Sequence, residues 1–245
     1  MAERHKVVTK DEWLDARLKL LAEEKEFTHL RERLAERRRE LPWEAVEKTY
    51  VFEGAAGKKT LPELFDGRSQ LVVYHFMFGP DWEAGCPHCS FWADNFDPVV
   101  VHLNHRDVTM VAVSRAPYAK LAAYKKRMGW SFDWFSSAGS DFNFDYQASF
   151  RPEDIAKKKI FYNYAIQDAG PSEREGVSVF YKDSAGRLFH SLTGTCGWDP
   201  RRRYLSTATA SVWATGGPPS VISTITPTAG WETGAFTFWT SFTWR

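Results

Sequence analysis

The amino-acid sequence predicts a mixed α/β fold, and three observations lead to this prediction. Ser69–Phe78 is a nearly continuous run of apolar, β-branched and aromatic residues, which is typical of a strand buried on both faces. Val108–Val113 is a second run of the same kind. Further along, Gly176–Tyr181 and Arg187–Leu192 flank the turn Asp183–Gly186 and predict an antiparallel hairpin. Helix-compatible segments separate the runs, so we expect helices to flank the sheet.

A long helix is predicted over residues 10–41. Its apolar residues recur at spacings of three and four between charged residues, and Pro42 ends the pattern. These apolar residues are Leu14, Leu18, Leu21, Phe27, Leu30, Leu34 and Leu41. Such a stripe is typical of a packing helix or of a dimer helix, so a homodimer is one expectation. Acidic residues flank the basic cluster Arg37–Arg39, which indicates a solvated face rather than a nucleic-acid site.

Shorter elements complete the predicted sheet. In chain order they are a strand at Thr49–Phe52, a turn at Gly54–Gly57, a helical turn at Leu61–Phe65, helices at Ser90–His105 and Tyr118–Met128, and a strand at Ser131–Ser136. Residues 138–175 carry aromatic side chains throughout, and we predict irregular structure for them. The order strand, helix, strand, helix, strand and hairpin corresponds to a mixed sheet.

Three segments are predicted: a helical extension over residues 1–43, an α/β domain over residues 44–200 and an atypical tail over residues 201–245. Tyr204–Arg245 is rich in Ser, Thr and Trp, and its only charged residues are Glu232 and Arg245. It has no clear periodicity. We interpret it as a floppy tail, a β-rich appendage, or sequence from an altered reading frame.

The composition excludes several classes of protein. The hydrophobic fraction is 43% and the charged fraction 26%, which are values of a soluble globular protein and not of a disordered chain. The formal net charge of +1 is too small to attract the chain strongly to nucleic acid or to an anionic membrane. We find no run of about 18 apolar residues and no apolar secretory core near residue 1. A cytoplasmic protein that binds neither nucleic acid nor membrane is therefore expected.

Cys86-Pro87-His88-Cys89 is the most specific motif, and it lies between a predicted strand and a predicted helix. Cys86 would stand at the amino end of the helix, where unpaired N–H groups and the helix dipole stabilise a thiolate. Cys89, one turn further on, would be within reach to resolve a mixed disulfide. Pro87 suits a first helical turn, and His88 adds a donor or a positive charge. We therefore expect Cys86 to be the more acidic thiol and the nucleophile.

Two other uses of the pair stay open. A Cys-x-x-Cys pair supplies half of a structural zinc site, and two further ligands would have to complete it. They would be drawn from Cys196, His75, His102, His105 and His190. Because the sequence has no second spaced pair, zinc is the weaker interpretation, and two inert thiols are a similar alternative. The sequence has no dinucleotide-binding motif, so we expect no cofactor and a supply of electrons from another thiol system.

Further motifs lie around the pair and along the chain. They are Leu41–Trp43, Asp66–Leu71, Phe76–Trp82, Gly85–Phe96, Val113–Pro117, Ser136–Asn143 and Gly176–Phe180. Together they span about residues 5–192 and closely resemble a bacterial thioredoxin-like family of unknown function, whose members are predicted dithiol–disulfide oxidoreductases. The resemblance implies a thioredoxin-like fold.

The resemblance also implies roles for particular residues. Cys86 and Cys89 become the expected catalytic redox pair, and Pro87 and His88 are expected to tune it. The candidates for lining the site are Trp82, Trp92, Ser114 and Arg115. A thiol or disulfide substrate, either a protein or a low-molecular-weight thiol, is the expected partner.

Two features depart from the family pattern. Thioredoxin-like proteins usually place a cis-proline just before the strand that faces the redox pair, whereas Glu175-Gly176 occupies this place. Substrate docking at this edge is therefore expected to differ. The run after Arg203 lacks the charged, tyrosine-containing segment of similar chains, and a change of reading frame near residues 192–200 would explain the difference.

Two rival functions remain. A peroxiredoxin-like peroxidase would need a proline seven residues and a threonine three residues before the reactive cysteine, and Gly79 and Glu83 occupy these places. A non-catalytic module that binds a small molecule or a protein would use a pocket in the aromatic segment Trp130–Tyr164. Its candidate residues are Asp133, Trp134, Asp141, Phe142, Asn143, Phe144 and Tyr146.

Overall fold

The computed structural model describes residues 5–194. The predicted tail at residues 201–245 and Cys196 lie outside the described residues. The chain divides into two compact units, Met1–Pro42 and Trp43–Arg245. Within the described residues, no helix combines the length and the apolar character needed to cross a membrane.

The long helix α1 (Lys10–Arg39) forms in the first unit, close to its predicted bounds. Thr9 caps it, because the Glu12 N–H donates to the Thr9 hydroxyl while the Glu12 carboxylate accepts the Thr9 N–H. The first turn is acidic and the last turn is basic, which complements the helix dipole. None of its residues is buried, and the side chains of Trp13 and Phe27 are more than half exposed.

Ten strands form in the described part of the second unit, residues 43–194. They are β1 (Glu44–Ala45), β2 (Val51–Gly54), β3 (Gly57–Thr60), β4 (Gln70–His75), β5 (Val108–Ser114), β6 (Asp133–Ser136), β7 (Lys159–Tyr162), β8 (Ala165–Asp168), β9 (Gly176–Lys182) and β10 (Leu188–Gly194). Eight of them build one sheet in the order β1-β10-β9-β4-β5-β6-β2-β3, and β7 pairs with β8 in a separate hairpin.

The centre of the sheet has the predicted mixed character. β4 is parallel to β5, which is parallel to β6, and on its other side β4 is antiparallel to β9. β9 and β10 form the predicted antiparallel hairpin. Every residue of β4 is buried, as its continuous apolar run requires. This arrangement confirms the predicted thioredoxin-like sheet, flanked by helices and preceded by a long helix.

Helices and aromatic residues cover both faces of the sheet. The remaining helices are α2 (Pro87–Phe96), α3 (Val100–Asn104), α4 (Tyr118–Met128), α5 (Phe142–Asp145) and α6 (Pro152–Ala156), with 3-10 turns at Leu61–Phe65 and Asp97–Val99. On one face, α2 and α4 pack with Tyr74 and Trp134 in one apolar cluster. On the other, the first 3-10 turn and α5 pack with Val73 and Phe180 in a second cluster. The cysteine pair therefore lies against a rigid core.

Two predicted segments differ from the structure. The helix predicted over Ser90–His105 is divided after Phe96, because Pro98 lacks an N–H and forces a 3-10 turn between α2 and α3. Residues 138–175 are not irregular throughout, since they form α5, α6 and the hairpin of β7 and β8.

Candidate functional site

The Cys-x-x-Cys motif lies where the chain leaves β4 and enters α2. Cys86 is the residue that precedes the first helical turn, and Pro87 occupies the first helical position, where a missing N–H costs no hydrogen bond. The Cys86 N–H donates to the Met77 carbonyl at 3.1 Å, and the Cys86 carbonyl accepts the Ser90 N–H at 2.9 Å. These bonds fix the position of Cys86 at the amino end of the helix.

The environment of Cys86 favours a thiolate. The Cys89 thiol donates a hydrogen bond to it, the N–H groups of Cys89 and His88 also point toward it, and His88 adds positive charge. Together they overcome the effect of burial and lower the pKa of Cys86 to about 5. Cys86 is only partly buried and His88 is exposed, so a substrate can approach the Cys86 thiolate.

Cys89 has the opposite character. It is fully buried in the apolar cluster beneath α2. Its Sγ lies 3.5 Å from the Met77 nitrogen, which donates to it, and 3.8 Å from Glu175 Oε2. Its hydrogen bond to Cys86, its burial and the negative charges of Cys86 and Glu175 raise its pKa far above the ordinary value. One thiol is thus partly accessible and acidic, and the other is buried and protonated.

Glu175 is a site residue that the sequence did not identify. It immediately precedes β9 and stands where thioredoxin-like proteins usually have a proline. Burial and the Cys86 charge raise its pKa, while His88, the hydrogen bond from Cys89 and Arg174 act in the other direction. The Tyr162 hydroxyl donates to the Glu175 carbonyl at 2.6 Å. The only sequence signal was the absence of the expected proline before Gly176.

The predicted lining residues have different positions. Trp82 and Trp92 are partly buried and pack against the cluster that contains Cys89. Arg115 is partly exposed and pairs with Glu173. Ser114 does not line a surface, because it is fully buried: its hydroxyl donates to the Phe76 carbonyl and accepts the Trp134 indole N–H. It therefore supports the core below the site.

Glu173 is a buried acidic residue near the site. Its carboxylate accepts hydrogen bonds from Arg115 and from the Ser149 hydroxyl, both at 2.7 Å. Burial raises its pKa, and these partners oppose that effect. A side chain at Gly79 would meet both the Trp82 indole and Glu173, so the loop after β4 lies close to this pair.

A cavity of about 320 Å³ adjoins Glu175. We call it the tyrosine cavity, because its walls include Tyr50, Tyr146, Tyr162 and Tyr164 besides Glu175 and His190. Tyr164 is 66% exposed, so the cavity reaches the surface. Glu175 therefore contacts the buried thiol of Cys89 through its carboxyl and also lines a polar space large enough for several water molecules.

A chain of hydrogen bonds runs from the core to this cavity. The buried His75 shares a bond with the Ser178 hydroxyl at 2.8 Å, and Ser178 shares one with Thr193 at 2.7 Å. Thr193 in turn contacts His190, which also pairs with the Glu44 carboxylate at 3.2 Å. Burial lowers the pKa of His75 to about 3, so this imidazole is neutral.

The aromatic segment does not form the single pocket that a binding module would use. Trp130 and Trp134 lie in the cluster under α2, whereas Phe142 lies in the cluster on the other face of the sheet. Asn143 is buried, and Asp141 pairs with Lys48. The candidate residues are therefore distributed over both faces. Asp133 is exposed. The guanidinium groups of two arginines lie over the Phe144 ring, and Tyr146 lines the tyrosine cavity.

No group of three metal-ligating side chains occurs among residues 5–194. Cys89 has a carboxylate as its neighbour, and His75 and His190 belong to the hydrogen-bonded chain described above. Cys196, one ligand considered from the sequence, lies outside this range.

The parallel strands, the antiparallel hairpin and the cysteine pair at the start of α2 define a thioredoxin-like protein. More particularly, the chain belongs to the family described as bacterial protein of unknown function, DUF899, whose model matches residues 2–232. This match is longer than the resemblance seen in the sequence motifs, which ends near residue 192. It includes most of the atypical tail, and the altered reading frame stays a prediction.

Solved structures similar to this chain are distant. A peroxidoxin BcpB from Mycobacterium tuberculosis is 14% identical, with a TM-score of 0.41 over 60% of this chain and 80% of its own. Peroxiredoxin Q from Xanthomonas campestris is 11% identical, with a TM-score of 0.40 over 60% and 87%. A putative thiol:disulfide interchange protein DsbE from Chlorobium tepidum is 12% identical, with a TM-score of 0.41 over 66% and 89%. No curated protein matches the sequence.

Proposed function

We propose that this protein is a thiol–disulfide oxidoreductase that uses Cys86 as nucleophile and Cys89 as resolving cysteine. One observation carries the proposal: an accessible thiol with a pKa of about 5 stands at a helix amino end, directly above a buried and protonated thiol. A low pKa makes Cys86 both a thiolate at neutral pH and a good leaving group. A pair with these properties is suited to a two-step exchange.

In the reductive direction, the Cys86 thiolate attacks one sulfur of a substrate disulfide. The substrate S–S bond breaks, a mixed disulfide forms at Cys86, and the first substrate thiolate leaves. Cys89 then loses its proton and attacks the Cys86 sulfur, which forms the Cys86–Cys89 disulfide and releases the second substrate thiolate. The substrate gains two electrons, and the protein dithiol loses two. A second dithiol must then reduce the protein, and the reverse sequence would oxidise a dithiol substrate.

The substrate class that this chemistry supports is a disulfide or dithiol of a protein or of a low-molecular-weight thiol. The reduction potential decides the direction. A value near about −270 mV would indicate a reductant, and one near about −120 mV an oxidant. The cytoplasmic location expected from the sequence would favour the reductive direction.

A redox titration tests the proposal. The full chain is equilibrated in glutathione buffers, free thiols are alkylated, and Cys86 and Cys89 are identified by peptide mass. We expect a reversible Cys86–Cys89 disulfide with a defined potential, and we expect Cys86→Ser or Cys89→Ser to abolish catalysed reduction of insulin disulfides. Cys196→Ser is the matched control and should leave both readouts unchanged.

The same experiment separates the rival functions. Thiols that form no disulfide in any buffer would refute the oxidoreductase and favour a binding module. Peroxide consumption faster than that of a simple thiol would favour a peroxidase.

A further inference from the structure

We propose that Glu175 is the catalytic residue that accepts the proton of Cys89 when the mixed disulfide is resolved, and that it exchanges this proton with water in the tyrosine cavity. This inference rests on the proposed oxidoreductase function and names a residue and a route for its second step. It starts from the contact between Glu175 Oε2 and Cys89 Sγ at 3.8 Å.

The buried thiol of Cys89 needs a base. Cys89 is fully buried, so water cannot remove its proton directly. Its polar neighbours are Cys86, the Met77 N–H, the Tyr74 hydroxyl and the Glu175 carboxyl. Met77 only donates, and an ordinary tyrosine hydroxyl keeps its proton at neutral pH. Glu175 Oε2, at 3.8 Å from Sγ, is the neighbour that is able to accept a proton while Cys86 is bound to substrate.

The first chemical step prepares the second one. Before attack, the Cys86 thiolate accepts the Cys89 hydrogen bond and raises the pKa of both Cys89 and Glu175. When Cys86 becomes part of a mixed disulfide, its negative charge is gone. Glu175 then ionises more readily. The Cys89 thiol loses the hydrogen-bond acceptor and the neighbouring negative charge that had raised its pKa. The proton can therefore pass from Cys89 to Glu175 only after the substrate is attached.

The tyrosine cavity gives Glu175 a route to solvent. Its other titratable neighbours there are the four tyrosines, Glu44, Asp145 and His190. From outside the cavity, electrostatic interactions with His88 and Arg174 lower the pKa of the carboxyl. The proton balance is simple: Cys89–SH and Glu175–COO⁻ become Cys89–S⁻ and Glu175–COOH, and the carboxyl then releases its proton to cavity water.

A two-phase reaction with dithiobis(nitrobenzoic acid) tests this step. Attack by Cys86 releases the first coloured thiolate, and attack by Cys89 on the mixed disulfide releases the second. A Cys196→Ser background leaves Cys86 and Cys89 as the only cysteines. We expect Glu175→Gln to leave the first release unchanged at neutral pH and to slow the second about 100-fold, a typical effect of losing a general base. Glu175→Asp should restore part of the second rate.

The pH profiles distinguish this role from a structural one. In wild type, the second release should level off above the pKa of a carboxyl, whereas in Glu175→Gln it should rise about tenfold per pH unit as hydroxide replaces the carboxylate. Glu83→Gln removes an exposed carboxylate three residues before Cys86 and should keep the wild-type profile.

Two results would overturn the proposal. One is a second release in Glu175→Gln with the wild-type rate and pH profile. The other needs no variant: a wild-type second release that rises tenfold per pH unit from acidic to alkaline pH. If the proposed oxidoreductase function itself is wrong, the result is distinguishable from both of these. The wild-type protein would then release a single thiolate and form no Cys86–Cys89 disulfide.

Discussion

Cys89 Sγ lies 3.8 Å from Glu175 Oε2, although 86 positions separate the two residues along the chain. The contact forms because α2 begins beyond the end of β4 and β9 pairs directly with β4 in antiparallel orientation. The residue before β9 is thereby brought beneath the start of α2. A carboxyl at this place changes the electrostatics of the dithiol, since it adds a negative charge next to the buried thiol.

The first prediction concerns the pKa of Cys86. The hydrogen bond from the Cys89 thiol is the largest cause of its depression to about 5. Cys89→Ala should therefore raise the Cys86 pKa by about one unit or more, whereas Cys89→Ser, which keeps a hydroxyl donor, should raise it less. Thiolate absorbance in the ultraviolet, measured against pH for each reduced protein, gives these values. An identical Cys86 pKa in all three proteins would show that the helix end alone acidifies this thiol.

The position of the redox pair could be predicted from the sequence, because its causes are local. The buried run of β4, the break after it and the proline at the first helical position all lie within the same stretch of chain. The acidic character of Cys86 follows from this stretch as well. The contact with Glu175 could not be predicted in this way, because it depends on the pairing of β9 with β4 and on no local pattern.

The hairpin of β7 and β8 shows a second limit. Its turn residues Asn163 and Tyr164 both adopt positive φ, at 50° and 59°. Tight hairpin turns of this kind usually carry Asn-Gly or Asp-Gly, and tyrosine gives no such signal. The sequence therefore predicts irregular structure for these residues, and it does not predict the tyrosine cavity that the hairpin helps to build.

A second prediction is an acid-sensitive stability that originates at His75. Its pKa is about 3 in the folded protein and about 6.5 when unfolded, so the unfolded state binds more protons at acidic pH. The stabilisation is complete above about pH 6.5 and is lost at up to about 1.4 kcal/mol per pH unit as the pH falls toward 3. Urea unfolding at several pH values should show this loss in wild type and not in His75→Gln. Parallel pH dependences in the two proteins would contradict it.

A third prediction concerns the Arg115–Glu173 pair. Glu173 is only 2% exposed, and Glu173→Ala leaves Arg115 and the Ser149 hydroxyl without their acceptor. We expect a loss of about 2–3 kcal/mol in the free energy of unfolding, less than for a fully buried pair because Arg115 keeps access to water. Chemical denaturation measures the loss. The control is Lys157→Ala, which removes an exposed ion pair and should change the free energy of unfolding little. An effect of Glu173→Ala as small as that of Lys157→Ala would contradict the prediction.

The last prediction concerns self-association through α1. Large apolar side chains recur along this helix at intervals of seven residues, and all are exposed: Trp13, Leu20, Phe27 and Leu34. Such a repeat is typical of a helix that pairs with another helix. The acidic first turn and basic last turn favour an antiparallel second copy of this chain, because each end then meets the opposite charge. The homodimer expected from the sequence therefore stays a prediction, and we expect its interface to be the exposed apolar face of α1.

Light scattering of the full chain tests this surface. Wild type should have about twice the monomer mass of 28.1 kDa, and Leu20→Glu with Phe27→Glu should have the monomer mass. Ala22→Glu is the control, and this variant should remain dimeric. It adds a negative charge on the far side of the helix, because position 22 is rotated by about 200° from Leu20. A wild-type monomer, or a double variant that stays dimeric, would exclude α1 as the interface. Higher salt should weaken the dimer, because it screens the paired helix ends.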